Sequence, residues 1–125
     1  MTVDLHVDIR WLLERQADLL PKHPEVHDFS ALVAAVARHR VNTPRIGTPT
    51  GAAWWAAALM VTLVRLRPLP ARNALFGAAV AVAYMDASGQ GIDPPYGALI
   101  DLARDIDAAR ADVYDTADRL RSWRI

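Results

Sequence analysis

Residues 51–89 read GAAWWAAALMVTLVRLRPLPARNALFGAAVAVAYMDASG, and this stretch decides the fold. Two almost wholly apolar runs, Gly51 to Val64 and Ala74 to Met85, flank a short segment containing Pro68 and Pro70. Each run is shorter than the roughly 18 residues that a membrane span needs, so both read as buried helices. Proline cannot continue a helix and pushes the residue before it out of the helical region, so the two rods must be joined by a tight bend. Thr48 and Pro49 supply an N-cap and a first-turn proline for the helix before the bend, which runs to about Leu66. Asn73 opens the helix after it, capping its amides, and Gly89 closes it as a left-handed cap. Gly77 lies inside the second rod at a cost of about 1 kcal/mol relative to alanine, which predicts a close backbone approach by a neighbouring helix. Trp54 and Trp55 point about 100° apart on a helix, so one reads as buried and the other as the edge of a groove.

Outward from this centre the pattern stays helical. Asp8 caps a first helix with Ile9, Leu12, Leu13, Leu19 and Leu20 on one stripe, ended by Pro21 and a turn to Pro24. Asp28 caps a second, running to about Arg38 with Leu32, Val33 and Val36 inward. From His39 to Thr48, Pro44 and Gly47 interrupt all periodicity, leaving a long loop or a short hairpin. Asp93, Pro94 and Pro95 begin a fifth helix carrying Leu99, Ile100, Leu102 and Ile106, and Asp112 caps a last one through Val113, Leu120 and Trp123. The expectation is an all-α bundle of about six helices, one domain over residues 1–125, with a short hairpin as the sole candidate for strand.

Composition narrows the function classes. The chain has 53% hydrophobic and 22% charged residues, enough apolar surface to offset the entropy of ordering. Fourteen basic and fourteen acidic side chains give a formal net charge of zero, which removes the electrostatic pull that direct nucleic-acid binding uses. With no cysteine there is no disulfide framework, no thiolate nucleophile and no cysteine-based zinc site, and the cytoplasm is the expected setting. The opening MTVDLHVDIR has no apolar signal core. His6, His23, His27 and His39 do not fall at metal-ligand spacings on one helix face, so no metal site is expected from them. His39, placed at a helix end before the broken stretch, reads either as a dipole partner or as a base reaching toward the central bend. Trp123, Arg124 and Ile125 either dock on the body or offer a hook to a partner.

The segment Val64-Arg65-Leu66-Arg67-Pro68-Leu69-Pro70-Ala71-Arg72-Asn73-Ala74-Leu75-Phe76, followed by a small-residue helix and Asp86-Ala87-Ser88-Gly89, resembles the active-site block of the Fic/Doc toxins. That family writes a loop of the type HPFxDGNKR between two central helices. Asp28 to Arg38 resembles the helix before the family's flap, Arg40 to Gly47 stands where the flap would be, and Asp112 to Trp123 resembles the closing helix. The resemblance implies the toxin component of a two-gene bacterial toxin–antitoxin pair, moving phosphoryl or AMP from ATP or another nucleotide with magnesium to a hydroxyl of a target protein. A cognate antitoxin is the implied partner, and Val41, Asn42, Thr43 and Arg45 are the implied flap residues that meet the target.

The motif departs from the family at the positions that carry chemistry. Arg67 stands where a histidine acts as general base, and a guanidinium cannot accept a proton at physiological pH. Ala71 replaces the acidic magnesium ligand, Arg72 the glycine, and Ala74 and Leu75 the basic phosphate binders. What the residues retain is a helix N-terminus with free amides, together with Arg65, Arg67, Arg72 and Asn73 as candidates for holding a phosphate. The competing reading makes the three arginines solvated, or pairs one of them with Asp86 or Asp93. Two functions therefore stand open: a degenerate transferase, or an inactive member of the family that acts through a protein partner.

Overall fold

The computed structural model describes residues 5–19 and 25–125. Leu20, Pro21, His23 and Pro24, to which the sequence assigns the end of the first helix, a turn and a histidine, lie outside the described residues. Six helices appear in order: α1 (Ile9–Leu19), α2 (Phe29–Val41), α3 (Ala52–Leu66), α4 (Asn73–Ala87), α5 (Ala98–Asp107) and α6 (Val113–Ser122). No strand forms among the described residues; an isolated bridge pairs Ile92 with Arg124.

The expected pair of central rods is the packed heart of the molecule. α3 and α4 pack on each other, and α3 also contacts α2, α5 and α6. Trp54, Leu59, Met60, Leu63, Phe76, Val80, Tyr84 and Met85 are fully buried between them and their neighbours. Gly77 explains how closely the rods approach: a Cβ built there would stand 2.6 Å from Val64 Cγ2 and 3.2 Å from the Met60 carbonyl oxygen. Glycine is what lets the two backbones meet at this crossing. α1 closes the bundle over α4, burying Leu12, and α6 lays Ala117 and Leu120 on α3.

Several boundaries differ from the sequence expectation, each for a local reason. α3 starts at Ala52, not at Pro49, because Gly51 is left-handed at φ 98° and its carbonyl accepts from the amides of Trp54 and Trp55. α5 starts at Ala98, because Gly97 takes φ 80° after the stiff Pro94–Pro95 pair. α2 continues past Arg38 to Val41, carrying His39 into the core. Val33, expected inside, is 53% exposed, while Leu32 and Ala35 are buried. Residues 42–50 form an irregular connection with a turn at Ile46 and Gly47, so the short hairpin does not form.

The caps at the other ends match expectation. Asp28 accepts from the Ser30 amide at 2.9 Å. Asp112 and Asp115 form a reciprocal capping box at the start of α6. Gly89 is left-handed at φ 76°, and the C-terminal residues dock: the Ile125 amide donates to the Gly91 carbonyl at 2.9 Å, and the Asp93 amide to Trp123 at 2.8 Å.

Candidate functional site

The bend from Arg67 to Asn73 lies between the two central rods, where the sequence places it, and it is closed by its own groups. Leu69 is buried. Asn73 is the first residue of α4, and its side chain turns back on the bend instead of capping the helix. The Leu69 amide donates to Asn73 Oδ1 at 2.9 Å, and Asn73 Nδ2 donates to the Leu69 carbonyl at 2.9 Å. Both functional ends of the amide are thus engaged by one backbone residue. The Pro68 carbonyl is occupied as well, accepting from the amides of His27 at 2.7 Å and Asp28 at 3.2 Å, which ties the bend to the start of α2.

The arginines do not converge on one ligand position. Arg67 caps α3 in a left-handed conformation and pairs with Asp107 at 2.6 Å, at the end of α5, not with Asp86 or Asp93. Arg65 reaches the other way and donates to the Ala111 carbonyl at 2.9 Å. Arg72 occupies the N-cap position of α4; its carbonyl accepts from the Phe76 amide at 2.9 Å, and its side chain makes no hydrogen bond or ion pair among the described residues. Its φ of 64° puts a non-glycine residue in left-handed space, at the position where the family motif has glycine. That conformation costs a side-chain-bearing residue about 1–2 kcal/mol. Arg72→Gly is therefore expected to stabilise the fold by about 0.5–1 kcal/mol, because strain relief exceeds the entropy that glycine adds to the unfolded chain. Urea denaturation checks the sign, which is opposite to the usual effect of introducing glycine.

The expected flap residues are also engaged, although not as a hairpin. Val41 ends α2 and is exposed, and the Thr43 amide donates to the Val41 carbonyl at 2.9 Å. The Asn42 carbonyl accepts from Trp54 Nε1 at 2.7 Å. Arg45 lies over the Tyr114 ring, 3.9 Å from its centroid, and the Arg45 amide donates to the Tyr114 hydroxyl at 3.1 Å. Hydrogen bonding from Arg45 lowers the Tyr114 pKa below 10.0. The connection is thereby pinned to α3 at one end and α6 at the other.

His39 is the residue whose role the sequence misplaces. It is fully buried, and its ring lies between α3 and the segment before α1, away from the bend. Nε2 accepts from the Val7 amide at 3.1 Å, while Nδ1 faces the Trp55 carbonyl at 3.2 Å. These partners specify the neutral tautomer with the proton on Nδ1. Burial is the main cause pushing its pKa below the usual 6.5, against the opposing pull of the Trp55 carbonyl. Tyr84 stands against the same ring at 5.1 Å between centroids and donates its hydroxyl to the Leu5 carbonyl at 2.5 Å. His39 is a clasp for the N-terminal segment and holds no position from which to act as a base at the bend.

A cavity of about 400 Å³ opens beside the bend, between α2, α3 and the start of α6. Arg38, Asn42, Thr62 and Arg65 provide its polar wall, and none of residues 67–73 lines it. Arg38 and Thr62 were not singled out from the sequence. The available signal was spacing: Ala34, Arg38 and the C-cap Asn42 recur every four residues along α2, as do Ala58, Thr62 and Leu66 on α3.

The nucleotide and magnesium implied by the resemblance do not fit the residues at the bend. Alanine stands at the metal-ligand position, Asn73 is committed to Leu69, and Arg67 is held by Asp107. Among the described residues, no three His, Asp or Glu side chains cluster to hold a metal ion, and no helix is long and apolar enough to cross a membrane. No family model and no curated protein matches the chain.

Proposed function

We propose that this chain is a Fic/Doc-like component of a bacterial toxin–antitoxin pair, in which the bend has lost transfer chemistry and the protein acts in the cytoplasm by binding its cognate protein partner. The observation that carries this reading is the double hydrogen bond between Asn73 and Leu69. It spends, on the bend itself, the one polar motif side chain that the sequence retains. The ion pair with Asp107 turns Arg67, a second candidate phosphate ligand, toward α5, and an arginine cannot serve as the missing base. The left-handed backbone at Arg72 falls at the glycine position of the motif it resembles, which supports the reading, although Arg67 and Ala109 are left-handed as well.

Loss of the general base alone removes about 10²–10⁴ in rate, and here the metal ligand is absent too. The test is calorimetric titration with magnesium and ATP, followed by a radiolabel transfer assay on cell lysate. No binding at millimolar nucleotide and no label transfer is the expected result. Label transfer that disappears in Arg67→Ala and Asn73→Ala would overturn the binding role in favour of a degenerate transferase.

A further inference from the structure

The cavity between α2 and α3 has a chemistry of its own. Ala58, Val61, Leu66 and Val113 give it an apolar lining, and Arg38, Asn42, Thr62 and Arg65 add hydrogen-bond donors to the same wall. The Arg38 side chain makes no hydrogen bond or ion pair among the described residues, and Arg65 uses one guanidinium nitrogen on the Ala111 carbonyl, leaving its other donors available. Asp112, the acidic group on the lining, is already engaged as a cap, accepting from the Asp115 amide at 2.9 Å. That engagement is the main cause holding the Asp112 carboxyl below its ordinary pKa, so it stays ionised while offering little to a ligand. The cavity thus presents two cationic side chains against one occupied carboxylate, with apolar side chains in the same lining.

We infer that this cavity binds a small organic anion, its carboxylate held by Arg38 and Arg65 and its apolar body resting on Val61, Leu66 and Val113. The volume of about 400 Å³ lies within the range of about 300–1,000 Å³ typical of small-molecule sites. Guanidinium groups match a carboxylate through paired N–H donors. The site is separate from the bend, because no residue from 67 to 73 takes part in it, and it stands whether or not the bend transfers phosphoryl groups.

The experiment is a titration of the full chain followed by amide and arginine Nε nuclear magnetic resonance, with benzoate as probe. Its neutral counterpart benzamide tests the charge, and inorganic phosphate tests the apolar body. Saturable benzoate binding is expected, with shifts centred on Thr62, Val113 and the Nε of Arg38 and Arg65. Benzamide and phosphate should each bind at least about tenfold more weakly, and Arg38→Gln should weaken benzoate by about tenfold or more, the loss of one charge-assisted contact. Arg38 is exposed and its side chain makes no bond among the described residues, so this variant should fold as the parent does. Absence of saturation, equal binding of benzamide or phosphate, an unchanged affinity in Arg38→Gln, or shifts centred on Leu69 to Phe76 would each overturn the assignment.

Discussion

Replacing Trp54 by alanine is expected to destabilise the protein by about 3–5 kcal/mol, the range for truncating a large buried aromatic. The indole is fully buried at the start of α3 and packs 5.0 Å from the Tyr114 ring on α6. Its Nε1 also donates to the Asn42 carbonyl at 2.7 Å, so truncation would leave that C-terminal group of α2 without its partner. Three elements therefore lose a common anchor in one substitution. Guanidinium denaturation followed by far-ultraviolet circular dichroism reads the change, and a thermal midpoint lowered by more than about 10 °C should accompany it. Trp55→Ala should cost clearly less, because that neighbouring ring is only partly buried. Equal losses at the two positions would mean that the burial pattern of α3 is wrong.

His39→Leu is the second large loss expected, about 2–4 kcal/mol, because two hydrogen bonds disappear and the Val7 amide and Trp55 carbonyl lose their partner in the interior. The same residue predicts a pH dependence. Its folded pKa lies below the unfolded value of 6.5, so the native state favours the neutral ring. Above pH 6.5 both states are neutral there and stability is at its full value. As the pH falls below 6.5 the unfolded chain takes up a proton that the native protein refuses, and stability declines until the depressed folded pKa is reached. The slope from this group is at most about 1.4 kcal/mol per pH unit. The groups around the ring are His6, Tyr84 and Arg40, whose guanidinium also donates to the Val7 carbonyl at 3.3 Å. His6 and Arg40 oppose protonation of His39 through their charge. The lowered carboxyl groups Asp28 and Asp112 act only further into acid, below their ordinary 3.8. Denaturation midpoints between pH 7.5 and 5 should therefore slope in the parent and flatten in His39→Gln; equal slopes would remove His39 as the cause.

The parts of the molecule that were legible in the sequence are those governed by strong local rules. Two apolar runs separated by prolines read as buried rods joined by a bend, and Gly77 pointed to a close approach because glycine in a helix interior costs about 1 kcal/mol relative to alanine. Asp28 and Asp112 announced helix starts through side-chain chemistry that acts within three residues. Element starts governed by glycine were harder: Thr48–Pro49 is a plausible helix opening, yet the left-handed Gly51 three residues later sets the real one. His39 was misread because a histidine near a predicted helix end has a ready local explanation. Its actual partners, Val7 and Trp55, are 32 and 16 residues away in sequence.

The candidate site divides in the same way. The departures of Arg67 and Ala71 from the family motif could be read one residue at a time, since an arginine is no base and an alanine no metal ligand. The destination of each remaining polar side chain could not. Asn73 turning back to Leu69 and Arg67 finding Asp107 on α5 are tertiary facts, and they separate a phosphate cradle from a closed turn. The cavity beside the bend was equally hidden, because its wall is shared by three helices whose relative rotation no periodicity fixes.

Native-state hydrogen exchange at the Leu69 amide, with and without millimolar magnesium–ATP, probes the closure of the bend itself. Protection of about a hundredfold or more, unaffected by the nucleotide and abolished in Asn73→Ala, is the result expected of a turn locked by its own asparagine. An unprotected Leu69 amide, or one released when nucleotide is added, would show a bend open to phosphate and contradict the closed turn on which the proposed binding role rests.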